Sequence, residues 1–99
     1  SPPEPVGGFA EIYKNLAYPR LARKAGLEAL VLVQVLVDAV GNIENVKILK
    51  DSGTKIGFEK AAMNAVKDVK WKPAMQRDKP VRVAVTIPIR FKLTSNISS

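Results

Sequence analysis

Between Leu30 and Asp38 the chain alternates in a way that marks a strand, with Val31, Val33, Val35 and Val37 on one side. Leu30, Leu32 and Leu36 take the other side, interrupted only by Gln34. β-Branched residues suit a pleated, packed surface, and a strand apolar on both faces predicts a central place in a sheet. Asp38-Ala39-Val40-Gly41-Asn42 follows as a hairpin connection in which Gly41 can take a positive φ. A return strand runs from Ile43 to Lys50 with Val46 and Ile48 on one face. Ile43 falls out of phase with them, which predicts a bulge or a turn residue. The longest alternation is Val81 to Leu93, where Val81, Val83, Val85, Ile87, Ile89, Phe91 and Leu93 share a face. Arg82, Ala84, Thr86, Pro88, Arg90 and Lys92 line the opposite one.

Helical periods fill the intervals. Phe9, Ile12, Tyr13 and Leu16 fall at i, i+3, i+4 and i+7, one face of a short helix. Tyr18-Pro19 ends it, because the residue before proline is driven out of helical conformation. Pro19 suits the start of a second short helix, expected to bury Leu21, Ala22 and Ala25 and to stop at Gly26. After a loop at Asp51–Lys55, the residues Phe58, Ala61, Ala62, Ala65, Val66 and Val69 form the apolar stripe of an amphipathic helix. Lys60, Asn64 and Lys67 take its outer face. Arg77-Asp78-Lys79-Pro80 reads as a further loop. Residues 1–8 read as a Pro/Gly-rich leader or linker end, 9–93 as the domain, and 94–99 as a polar tail.

Helices, hairpin, helix and strand imply an α+β domain in α-β-β-α-β order. The economical arrangement is a three-stranded antiparallel sheet in the order second, first, third, with helices packed on one face. Pro88 agrees, since a proline in a ladder belongs on an edge. The last strand is then long and unpaired along one side. An extended peptide could add to it, backbone hydrogen bonds giving affinity and side-chain pockets giving register. The same Pro88, Arg82, Arg90 and Lys92 also serve a duller purpose, blocking edge-to-edge aggregation. The leucine-rich face opposite the helices needs a cover, which the leader, the tail, a partner or a second copy of the chain could supply.

Composition narrows the chemistry. The chain has 99 residues, one small domain, and no apolar run long enough for a membrane helix. It contains neither cysteine nor histidine. That removes the commonest metal ligands, the usual general base and the thiol nucleophile, and its acidic residues are scattered. The sequence is therefore read as non-enzymatic, with no cofactor and no metal. Sixteen Lys and Arg against nine Asp and Glu give a net charge of +7. A small RNA-binding domain would need aromatic residues on the open sheet face. The last strand offers none there, and Gly53-Thr54-Lys55-Ile56-Gly57 has one residue too many for a Gly-x-x-Gly clamp. The charge is read as solvated basic faces, with no nucleic-acid partner. Trp71 is read as a core or rim packer, and Tyr18 either as packing beneath the helix or as a stacking surface for a peptide.

The order of modest signals carries more than any one of them. Tyr18-Pro19, Val37-Asp38-Ala39-Val40-Gly41, Ser52-Gly53, Ala61-Ala62, Trp71-Lys72-Pro73-Ala74 and the closing Ile87-Pro88-Ile89-Arg90-Phe91 succeed one another in a fixed sequence. In that order they resemble the TonB C-terminal domain family, periplasmic energy transducers of Gram-negative bacteria, over Tyr18 to Leu93. Many relatives have glycine where Ala29 stands, a mild departure. The resemblance implies a periplasmic domain of an inner-membrane-anchored protein, coupled through the rest of that protein to ExbB and ExbD. It implies binding to the Ton box of TonB-dependent outer-membrane transporters for iron chelates, cobalamin and similar nutrients. The contacts it implies are Val81, Arg82, Val83, Ala84, Val85, Thr86, Ile87, Ile89 and Phe91 on the last strand. Asn15, Leu16, Ala17, Tyr18 and Pro19 at the entry to the second helix join them. A TolA-like or other periplasmic adaptor would share the fold and bind a different partner, because fold does not fix function.

Overall fold

The computed structural model describes residues 1–93. The expected tail, Thr94 to Ser99, lies outside the described residues. The valine stripe occupies the centre: β2 (Ala29–Val37) pairs antiparallel with β3 (Ile43–Lys50) on one side and β7 (Val83–Phe91) on the other. The order is second, first, third among the long strands, as the pattern implied. β2 and β7 keep register from Ala29 opposite Phe91 to Val37 opposite Val83. β3 slips twice. Leu36 faces Asn45 while Val37 faces Ile43, so Glu44 is the extra residue of a bulge that returns Ile43 to the face of Val46 and Ile48.

The connection from β2 to β3 is tied by Asp38, whose Oδ1 accepts from the N–H groups of Val40 (2.9 Å) and Asn42 (2.8 Å). Such Asx-type bonds substitute a side chain for a missing backbone partner in a turn. Gly41 sits at φ +90° with the carbonyl of Trp71 against it, leaving no room for a side chain.

Three helices cover one face of the sheet: α1 (Ala10–Lys14), α2 (Arg20–Ala25) and α3 (Phe58–Lys67). α3 buries Phe58, Ala62, Ala65 and Val66 against the valines, while Lys60, Asn64 and Lys67 face outward. Phe58 and Phe91 meet at 4.8 Å between ring centroids, and Tyr18 stands edge-on to both. Arranged this way, each aromatic pair adds about 0.5–1.5 kcal/mol beyond its buried area. α2 ends in a Schellman motif at Gly26 (φ +70°): the Leu27 N–H donates to Ala22 and the Gly26 N–H to Arg23. Only Ala22 of that helix is buried. The expected burial of Leu21 and Ala25 does not occur, because α2 enters the core through Ala22 alone and Leu21 is 65% exposed.

Two short ribbons complete the fold, neither foreseen from the pattern. β1 (Glu4–Pro5) pairs with β4 (Trp71–Lys72), and β5 (Ala74–Gln76) pairs with β6 (Lys79–Val81). Residues 1–8 are therefore not a free leader: Pro3 and Pro5 are buried, and the Val6 N–H donates to Lys70. This segment runs beside Trp71 and not across the leucine face, where Leu30, Leu32 and Leu36 are half-buried among their strand neighbours. The alternation from Val81 to Leu93 is likewise not one strand. It breaks at Arg82, with Val81 paired to Ala74 in the β5–β6 ribbon.

Candidate functional site

Among the described residues β7 has one strand neighbour, β2. In an antiparallel ladder the N–H and C=O of one residue point the same way, and successive residues alternate. Two bonds fix which residues look outward. The Arg90 N–H donates to the Tyr13 hydroxyl at 3.2 Å, and that hydroxyl lies 3.4 Å from the Pro88 carbonyl oxygen, to which it donates. Tyr13 belongs to α1, off the sheet, so the even-numbered residues Ala84, Thr86, Pro88 and Arg90 present their backbone to the free edge. The odd-numbered residues Val83, Val85, Ile87, Ile89 and Phe91 bond to β2. Pro88 therefore costs the ladder nothing, since its missing N–H would have pointed away from β2.

The edge divides into two parts. At Ala84 and Thr86 the outward groups have no partner beyond the ladder among the described residues. The Pro88 carbonyl and the Arg90 N–H meet the Tyr13 hydroxyl. Behind the phenol lies an apolar cavity of about 320 Å³ lined by Phe9, Ile12, Tyr13, Thr86, Ile87 and Pro88. α1 is held over this edge by Ile12, which is fully buried, and by Phe9, whose ring stands edge-on to Trp71 at 6.4 Å. Trp71 is itself buried, its indole N–H donating to the Val66 carbonyl at 3.0 Å.

Of the residues singled out from the sequence, Val83, Ala84, Val85, Thr86, Ile87, Ile89 and Phe91 lie together on β7. Val81 and Arg82 do not join them, because Val81 faces Ala74 and the Arg82 guanidinium pairs with Glu44 at 2.7 Å. Leu16 packs on the core; Asn15 donates back to the Glu11 carbonyl. Ala17, Tyr18 and Pro19 line a separate groove of about 350 Å³ against the start of α3, which contains no residue of β7. Tyr18 is a packing residue: half-buried, edge-on to Phe58 and Phe91, with its hydroxyl donating to the Leu27 carbonyl. Burial pushes its phenol pKa up, Glu28 adds to the rise, and the Arg23 guanidinium 4.9 Å over the ring opposes it. Tyr13, Phe9 and Ile12 are the edge residues that the sequence reading left out. Their signal was present in the helical stripe, where Tyr13 is the one member with a polar tip that needs a partner.

Among the described residues no group of acidic side chains could hold a metal ion, and no helix is long and apolar enough to cross a membrane. What the site offers is shape and backbone hydrogen bonds. The family model for the Gram-negative bacterial TonB protein C-terminal matches residues 14–93. The chain belongs to the TonB C-terminal domain family. Similar proteins include Protein TonB of Vibrio cholerae, 41% identical over 76 residues that make up 77% of this chain and 31% of that protein. The TonB2 protein of Pseudomonas aeruginosa is 40% identical over 77% of this chain and 28% of its own length. The chain thus spans about a third of these relatives. The Helicobacter pylori TonB C-terminal domain has the same fold, with a TM-score of 0.66 and 27% identity over 88% of this chain and 78% of that one. The Pseudomonas aeruginosa TonB C-terminal domain likewise shares the fold at a TM-score of 0.66, with 23% identity over 82% of this chain and 81% of that one.

Proposed function

We propose that this domain grips the Ton box of a TonB-dependent outer-membrane transporter by taking it up as an added strand on β7, and passes on a mechanical pull. In the whole protein an inner-membrane anchor would couple the domain to ExbB and ExbD, and the transporters served would import iron chelates, cobalamin or similar nutrients. The observation that carries the reading is the free edge: outward N–H and C=O groups at Ala84 and Thr86, at strand spacing, beside an apolar cavity. Each backbone bond adds about 0.5–1.5 kcal/mol net, so four of them give a weak to moderate grip after the cost of association. A pull directed along the strands loads those bonds together in shear, which suits a transient mechanical coupling. No step of this needs a catalytic side chain.

The test is a titration of isotopically labelled domain with a synthetic Ton-box peptide, with a scrambled peptide and a single-stranded oligonucleotide as controls. Amide shifts concentrated on Val83–Phe91 and on α1, produced by the Ton-box peptide alone, are the expected result. An equal response to the scrambled peptide, or none on β7, would turn the reading toward an adaptor with a different partner.

A further inference from the structure

The Tyr13 phenol stands where a partner strand would stand. It accepts from the Arg90 N–H and donates to the Pro88 carbonyl, the same outward pair of groups that an added strand would bond at that station. A neighbouring strand lies about 4.8 Å away in the hydrogen-bonding direction, so the ring and a strand cannot share the position. The two bonds are unequal. The accepted one is 3.2 Å, whereas the donated one, at 3.4 Å, is long for a hydroxyl donor. Tyr13 is also 45% exposed, and its helix is anchored by Ile12 and Phe9 and not by the phenol. The ring is thus free to swing out on its own rotamers without unpacking α1.

We propose that Tyr13 is a displaceable cap on the binding edge, holding the Pro88–Arg90 station until a partner strand longer than the Ala84–Thr86 stretch expels it. This rests on the strand-addition reading of β7. The cap divides binding into two stages: a short strand docks at Ala84 and Thr86 with the cap in place, and a longer one must displace the phenol. Once displaced, the ring uncovers the cavity formed with Phe9, Ile12 and Ile87, which fits one aliphatic or aromatic side chain of the incoming strand. The cap also shields the most apolar end of the edge, Ile87 to Phe91, from pairing with other chains.

Tyr13→Phe keeps the ring and removes both bonds. Amide exchange at Arg90 should quicken several-fold in the variant without any peptide present, while the amides of Ile87 and Ile89 stay as slow as in the native domain. A Ton-box peptide of about nine residues should bind roughly 3–10-fold tighter to the variant, the equivalent of one lost competing hydrogen bond. Trimming that peptide to about four residues that reach only Ala84 and Thr86 should abolish the difference. Unchanged Arg90 exchange, or an affinity gain that survives trimming, overturns the cap. A peptide that binds neither form while Arg90 exchange does respond overturns the strand-addition reading and leaves a phenol that merely protects the edge. The two failures are therefore separable.

Discussion

A Cβ built on Gly41 would meet the Trp71 carbonyl oxygen at 2.5 Å, and φ there is +90°. Both facts oppose any side chain: the contact is with backbone, which cannot swing aside, and the conformation belongs to glycine. Gly41→Ala should cost about 2–4 kcal/mol of stability, measured by urea denaturation. A second residue makes stability depend on pH. Burial alone would raise the Glu59 carboxyl pKa, but hydrogen bonds from Ser52 and from the backbone of α3 outweigh it, and the pKa falls below its ordinary 4.5. A depressed carboxyl contributes stability that is complete above about 4.5 and is lost as the pH falls through the lowered folded value. Glu59→Gln should therefore be about 0.5–1 kcal/mol less stable at pH 7, a figure discounted for partial exposure. The gap should close in denaturation experiments run below that range.

Among the elements, β7 carries the functional claim, and its parity separates two substitutions that look alike. Thr86→Pro removes an outward N–H and leaves the ladder to β2 whole, as Pro88 already does. It should preserve the fold while weakening Ton-box peptide binding roughly 3–10-fold, the equivalent of one lost backbone hydrogen bond, read by titration of the folded variant. Ile87→Pro removes an inward N–H beneath a buried side chain and should unfold the domain. The long strands, their order and the α3 stripe were legible in the sequence because each depends on local period and on one buried face. The break at Arg82 was not, since alternation persists while the pairing partner changes from Ala74 at Val81 to Val37 at Val83. Nor was the part played by Tyr13. A helical stripe shows which side of α1 faces inward, but the hydroxyl's destination is a strand 75 residues away and depends on how α1 crosses it.

At the scale of the molecule, the first residues form part of the domain. A Pro-rich start suggested a linker by local preference, and tertiary pairing overrode it: Pro3 and Pro5 are buried, Glu4–Pro5 pairs with Trp71–Lys72, and the Met75 N–H donates to the Ser1 carbonyl. Deleting residues 1–8 should cost about 1–2 kcal/mol in denaturant, the apolar burial partly offset by the chain entropy regained, and leave the β3–β2–β7 sheet intact by circular dichroism. Under the proposed function, a load entering by this segment would arrive beside Trp71 and reach β7 through the core and the sheet. In the proposed function a transporter's Ton box becomes a fourth strand on β7. Residue-resolved amide exchange with and without saturating Ton-box peptide tests it most directly. Strand addition gives new protection at Ala84 and Thr86 only on peptide binding, with Val85, Ile87 and Ile89 slow in both states. Protection that appears elsewhere, or that ignores the alternation along β7, would contradict it.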